Sequence, residues 1–304
     1  MPENQGFRKN FKKFSKPKPN IIVEDSPVLN AFQAYRAELD AKHDRHERIV
    51  KLSRDITIES KRIIFHLHSI ESNKNNRQKV LQEAEQRLQK LININFKAVA
   101  KELHGQDPYQ FRSAYSPGLQ EFIEAYSFYE YFKWSDNEKQ GLSDWHTIQK
   151  QMQYSDEVEV EIEKKQESLE EPATLAEAVN TPPNEEVKAL EPVKFEFFMD
   201  PTEYVLGISD LTGELMRRCV NSLGCGETNE CVETCKALQN LYTCYISLRV
   251  QRCRELSRKV YTMRQSVIKA ENVCYNVKVR GGEAAKWGSV FDNKPGDDID
   301  EGFF

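Results

Sequence analysis

From Pro27 to about residue 71 the chain carries an apolar pattern of helical period that no further proline interrupts. Ser26-Pro27 opens it, an N-cap residue followed by the residue type favoured at the first helical position. Leu29, Phe32, Leu39, Ile49, Leu52, Ile56, Ile63 and Leu67 continue the pattern. The spacing predicts one helix of roughly 45 residues, where helices in globular proteins average about 10–14. A helix of that length demands an extended bundle or a rod spanning an oligomer. Glycine (13) and proline (12) are scarce in the 304 residues and 30% are charged, which favours long helices over a turn-rich β fold.

A second helix is predicted over 76–103, with Leu81, Ala84, Leu88, Leu91, Phe96, Val99 and Leu103 on its inner side, stopped by the break at Gly105–Pro108. Pro117-Gly118 starts a third, running to about Trp134. Ser143 caps a short fourth over 143–154, with Asp144 in its first turn. Asp200-Pro201 opens a fifth to about Leu223, and helices over 228–254 and 256–279 follow. No segment alternates as a strand. The expected fold is all-α, seven helices with a very long first one. Residues 1–25 are expected as a disordered basic tail and 26–280 as the helical domain. A disordered acidic insert at 155–192 interrupts that domain, and a flexible tail spans 281–304.

The net charge of −5 hides an uneven distribution. Residues 155–192 hold twelve acids and three lysines, so the remainder of the chain is net +4. The acidic total is therefore no argument against nucleic-acid binding. Residues 8–18 carry six basic residues and no acid. That cluster is open to reading as an import signal, a nucleic-acid-binding arm or a solvated tail. No signal-peptide core or membrane-length apolar run is present, so a cytosolic or nuclear protein is expected.

The seven cysteines all lie between Cys219 and Cys274. An odd count without CxxC argues against a disulfide framework. Only Cys231 and Cys235 have helical i,i+4 spacing, and the set reads as small apolar residues and surface thiols rather than a zinc site.

Two carboxylate pairs stand out. GLQEFIEAYSF holds Glu121 and Glu124 three residues apart; DLTGEL holds Asp210 and Glu214 four apart. Both spacings put the pair on one helix face. If the two helices pack together, four carboxylates converge in an oxygen-only set suited to Mg2+ or Mn2+. On a helical wheel Glu121 and Glu124 share a face with Phe128, Tyr131 and Phe132, where a carboxylate is costly unless neutralised. Asp210 and Glu214 point away from their helix's apolar stripe (Tyr204, Ile208, Leu211, Leu215, Cys219), which reads as a solvated face with Arg217. Gly207 and Gly213 argue the other way, since each costs about 1 kcal/mol in a helix interior and permits another helix to approach.

The histidines form no catalytic constellation; His43, His46, His66 and His68 read as exposed on the first helix. GxSxG, GxxxxGK[ST] and GxGxxG are all absent. Lys51, Arg54, Lys61 and Arg62 recur on the first helix, either as a phosphate track for RNA or as surface partners of Asp55 and Glu59.

The segments ELDAKHDRHERIVKLSRDITIESKRIIFHLH, GLQEFIEAYSF, PTEYVLGISDLTGELMRRCVNS and ENVCYNVKVRG together span most of residues 30–280. Through SRDIT, GLQE-x-x-EA and DLTGELMR, occurring together and in this order, the chain resembles the translin family; 155–192 shows little correspondence. The resemblance implies a seven-helix translin-like bundle and a hetero-oligomeric, octameric shell built with translin. It also implies a Mg2+-dependent endoribonuclease (Mn2+ as an alternative) acting on single-stranded RNA, with single-stranded DNA as a second ligand. Its implied substrates include passenger-strand fragments during activation of the RNA-silencing complex, in cytoplasm and nucleus. Carried over by motif, Glu121, Glu124, Asp210 and Glu214 are the implied catalytic and metal-binding residues, with Glu124 and Glu214 the direct ligands. For the second pair this requires an enclosed chamber that assembly creates. Attack by water predicts 5′-phosphate and 3′-hydroxyl products. The rival expectation is a non-catalytic scaffold for translin.

Overall fold

A computed structural model describes residues 26–72, 76–134, 141–159, 190–248 and 253–280. The expected tails at 1–25 and 281–304, and most of the acidic insert, lie outside the described residues. The chain divides into two units, Met1–Asp44 and Arg45–Phe304. In the first, α1 (Pro27–Ser72) begins with Val28, Phe32, Tyr35 and Leu39 exposed and with i,i+4 pairs Arg36–Asp40 and Lys42–Glu38 along its surface.

In the second unit α1 buries Ile49, Ser53, Ile56, Ser60, Ile63, Leu67 and Ile70. Alternating steps of four and three give the narrow seam by which one long helix keeps one face on a core. α2 (Arg77–Lys90) runs through a π-helical turn, Leu91–Phe96, into α3 (Lys97–Leu103). The wider turn buries Leu91, Ile92 and Phe96, and the Ile92 carbonyl also accepts from the Tyr154 hydroxyl at 2.8 Å. α4 (Arg112–Trp134), α5 (Trp145–Gln151), α6 (Pro201–Gly224), α7 (Thr228–Ile246) and α8 (Arg254–Arg280) follow. Counting α2 and α3 as one continuous helix, seven helices lie among the described residues, as the periodicity predicted.

Several boundaries follow from caps. Asp107 accepts from Tyr109 N through a Pro108–Phe111 3-10 turn that leads into α4, five residues before the predicted start. Pro117 therefore sits inside a helix. Asp144, rather than Ser143, caps α5 by accepting from Thr147 N at 2.7 Å; Ser143 instead donates through N and Oγ to buried Glu130. Asp200 caps α6 by accepting from Thr202 N, with Pro201 at the first position as predicted. Gly226, at φ 81°, turns the chain from α6 into α7.

The expectation of no strand is overturned. β1 (Gln153–Glu159) and β2 (Leu190–Glu196) pair antiparallel, from Gln153↔Glu196 to Glu159↔Leu190. The two edges of the acidic stretch, 155–159 and 190–192, are thus strand. Their side chains alternate too briefly between charged and apolar types to stand out in sequence. Pairing with each other, and docking of Phe195 against Tyr154, makes them strands.

The core is aromatic. Phe96 packs edge-on to Phe122 (4.8 Å) and Phe197 (5.1 Å), and Phe197 in turn meets Tyr115 at 5.3 Å. Fully buried Glu203 on α6 is tied to α4, accepting from Arg112 Nε (2.5 Å), Ser116 Oγ (2.6 Å) and Gln120 Nε2 (2.7 Å). As expected of small apolar residues and surface thiols, four cysteines are buried, Cys225 and Cys244 are exposed and Cys253 is intermediate. Cys219, Cys231 and Cys274, which share no spacing in sequence, are buried together where α6, α7 and α8 meet.

Candidate active site

The site begins with two glycines. A Cβ on Gly118 of α4 would lie 2.6 Å from the Ser53 carbonyl oxygen of α1, and the Gly118 N–H donates to Ser53 Oγ at 3.1 Å. A Cβ on Gly207 of α6 would lie 2.6 Å from Ile123 Cβ of α4. Glycine at both places lets α1, α4 and α6 close to backbone distance. Glu124, next to Ile123, is thereby brought within electrostatic reach of Asp210 and Glu214, the first of them one turn beyond Gly207. Gly213, which looks equivalent to Gly207 in sequence, would have nothing within 4 Å of an added Cβ and mediates no such approach.

Glu121, Asp210 and Glu214 each have a basic partner. Lys61 Nζ of α1 lies 2.9 Å from Glu121 Oε1. Lys259 Nζ of α8 donates to Asp210 Oδ2 (2.6 Å), Gln120 Oε1 (2.7 Å) and the Leu206 carbonyl (3.1 Å). His68 Nε2 of α1 donates to Glu214 Oε2 at 2.6 Å, with Arg217 Nη1 3.3 Å from the same oxygen. The His68 ring packs 4.9 Å from Phe128, and its buried Nδ1 has no partner among the described residues.

Glu124 differs from the other three. Its carboxyl is pushed up to about 8, first by burial and then by the negative charges of Asp210, Glu121 and Glu214, with Lys259 opposing. No hydrogen bond or salt bridge to its carboxylate occurs among the described residues. Burial also raises Asp210, against the pull of Lys259. These are hard oxygen donors around one carboxylate without a cation, a set that fits a hard divalent ion. The oxygens are not drawn tightly together; among the described residues, three ligand-type groups within 4.8 Å of one another occur at Cys219, Cys231 and Cys274.

One sequence expectation changes here, that of His68. On the polar face of α6 Glu214 is largely covered, whereas Asp210 is 35% exposed and Arg217 60% exposed. His68 is not an exposed side chain but a site residue, only 10% exposed. It lies seven residues from Lys61, on the same face of α1, and that spacing is the signal the sequence offered. Lys259 carried no such signal. Of the proposed RNA-contacting residues, Lys51 and Arg54 are exposed, Lys61 is engaged by Glu121, and Arg62 lies 3.6 Å from Glu59.

Residues 44–281 match the Translin family. The chain belongs to the translin family. It is 40% identical over 266 residues to the mouse (Mus musculus) protein named Translin-associated protein X, covering 86% of this chain and 82% of that one. The Pongo abelii protein of the same name is 37% identical, covering 92% and 90%. A Schizosaccharomyces pombe homologue is 25% identical, covering 82% and 87%. Among solved structures, apo-NeC3PO superposes with TM-score 0.52 at 17% identity over 82% of this chain and 97% of that one. A complex of AfC3PO with duplex RNA gives 0.50 at 17%, over 83% and 98%. These two likenesses show that the fold is translin-like.

Proposed function

We propose that this translin-family chain is the catalytic subunit of a divalent-metal-dependent endoribonuclease, working on single-stranded RNA in a hetero-oligomer with translin. The observation that carries the reading is Glu124, a partly buried carboxylate that feels the negative charges of Asp210, Glu121 and Glu214 and has no salt bridge among the described residues. Nothing in a structural role calls for such an arrangement, whereas a cation relieves it. The relatives named Translin-associated protein X support translin as the partner, and a solved neighbour bound to duplex RNA supports a nucleic-acid ligand.

Glu124 and Glu214 would hold Mg2+, or Mn2+, directly, with Glu121 and Asp210 completing the site. The ion supplies Lewis acidity toward a phosphodiester oxygen. Lys259, which donates to Asp210, Gln120 and the Leu206 carbonyl, offsets the Asp210 charge while no ion is bound. His68 orients Glu214 through Nε2. Asp210 or Glu121, outside the ligand pair, takes the proton of the attacking water. Water attack leaves 5′-phosphate and 3′-hydroxyl ends; 2′,3′-cyclic phosphate ends would rule it out.

The test is cleavage of single-stranded RNA by this chain reconstituted with translin, wild type against Glu124→Gln, in Mg2+ and in EDTA. Activity falls by at least about 100-fold in the variant, in line with removal of a key charge at a reacting centre, while the assembly is unchanged by gel filtration. One observation favours a second reading, a non-catalytic scaffold: Lys61, Lys259 and His68 already compensate three of the four carboxylates. Equal cleavage by both proteins would establish that reading instead.

A further inference from the structure

The thiols of Cys219, Cys231 and Cys274 lie outside the carboxylate site and come from three different helices, α6, α7 and α8. Cys219 Sγ is 3.3 Å from Cys231 Sγ, Cys231 Sγ is 3.6 Å from Cys274 Sγ, and all three lie within 4.8 Å of one another. Cys219 and Cys231 are completely buried and Cys274 is nearly so. Cys235, one turn beyond Cys231 on α7, is also buried, and its sulfur lies outside that group of three. We propose that these cysteines are a structural zinc site, with Cys219, Cys231 and Cys274 as three thiolate ligands and Cys235 as the fourth.

The dimensions support this. A Zn–S bond of about 2.3 Å in a tetrahedron places neighbouring sulfurs about 3.8 Å apart. The two observed spacings are inside that value, so these three thiols need little rearrangement to accept an ion, while Cys235 moves in to complete the tetrahedron. Thiolate is the ligand type that selects zinc over the hard cations of the carboxylate site, so the two sites take different metals. Each ligating thiol releases its proton to solvent on binding. The i,i+4 spacing of Cys231 and Cys235 on one helix face is the only part of the set visible in sequence. The ion would join α6, α7 and α8, the helices that hold Asp210, Glu214 and Lys259, and so stiffen the scaffold of the carboxylate site.

The experiment uses the full-length chain, reduced and stripped of metal, loaded with Zn2+ and desalted, with bound metal measured by mass spectrometry. Co2+ is loaded in parallel for its absorption spectrum. A single zinc per chain and an intense thiolate-to-cobalt charge-transfer band are expected. Cys231→Ser loses both, Cys235→Ser binds about tenfold more weakly, and Cys225→Ser and Cys244→Ser, at exposed thiols, match wild type. Should Cys231→Ser fail to fold by circular dichroism, the wild-type cobalt spectrum decides alone. No retained zinc and no charge-transfer band in wild type would overturn the proposal. So would equal retention in a folded Cys231→Ser, or a chain purified without reductant that carries no metal and is two hydrogens lighter because Cys219 and Cys231 form a disulfide.

Discussion

At the scale of single residues, Glu124 links stability to pH in a defined direction. Its folded-state carboxyl sits at about 8 against an ordinary 4.5. Between those values the folded state holds a proton that the unfolded state has released. The contribution of Glu124 to stability therefore falls as pH rises from about 4.5 to 8, by an amount on the order of a few kcal/mol, and adds no slope outside that window. Glu124→Gln should remove the slope, so thermal denaturation of wild type and variant, compared at pH 5 and pH 8, will diverge at the higher pH with the variant more stable. Adding Mg2+ should raise the wild-type melting temperature more at pH 8 than at pH 5, since the ion competes with the proton. A variant that melts lower than wild type at both pH values would mean that Glu124 holds the fold together. Lys259 supplies a second case. Its ammonium competes with a cation for Asp210, so Lys259→Met should lower stability in EDTA yet tighten Mg2+ binding about tenfold, or about 1.4 kcal/mol. Weaker Mg2+ binding, read from a Mg2+ titration of the melting temperature, would show instead that Lys259 positions Asp210 for the ion.

At the scale of helices, two glycines of α6 that look equivalent in sequence have opposite roles. Gly207→Ala places a Cβ 2.6 Å from Ile123 Cβ, an atom fixed to the α4 backbone, so the helices must separate. Overpacking of this kind costs about 1–3 kcal/mol, more than the roughly 1 kcal/mol returned by alanine's helix propensity. Gly213→Ala meets nothing within 4 Å and should gain up to about 1 kcal/mol. Urea denaturation of the two variants should thus shift in opposite directions. The same comparison shows what was legible. The glycines announced that a close approach was available; which of them made it depended on where Ile123 of another helix came to lie. The start of α4 was misplaced for a related reason. Pro117 reads as a first-turn proline, but the Asp107 cap and the Gly118–Ser53 contact let the helix begin earlier and carry the proline inside.

At the scale of the whole molecule, the β1–β2 register closes the chain across its acidic stretch, with Glu159 opposite Leu190. Glu159 and Leu190 are paired strand neighbours, a separation that a tight turn can span. Replacing 160–189 by a two-residue hairpin turn should therefore preserve the fold and raise stability by about 2 kcal/mol through the shorter closed loop. Helicity by circular dichroism and the urea midpoint check this. Loss of helicity would mean that the segment belongs to the core.

The sequence alone determined the periodicity-dependent features: seven helices, the long first one, the Asp200-Pro201 cap and the two carboxylate pairs. Each depends on residues within a turn or two of one another, so local spacing suffices. The tertiary structure decided what depends on neighbours distant in the chain. It placed Lys259 on Asp210, His68 on Glu214 and Lys61 on Glu121, gathered Cys219, Cys231 and Cys274 from three helices, and covered Glu214 on the face of α6 that a helical wheel assigned to solvent. A wheel knows one helix's own faces. Burial, charge compensation and metal-sized spacing are properties of several helices together, and they exist only once the chain has packed.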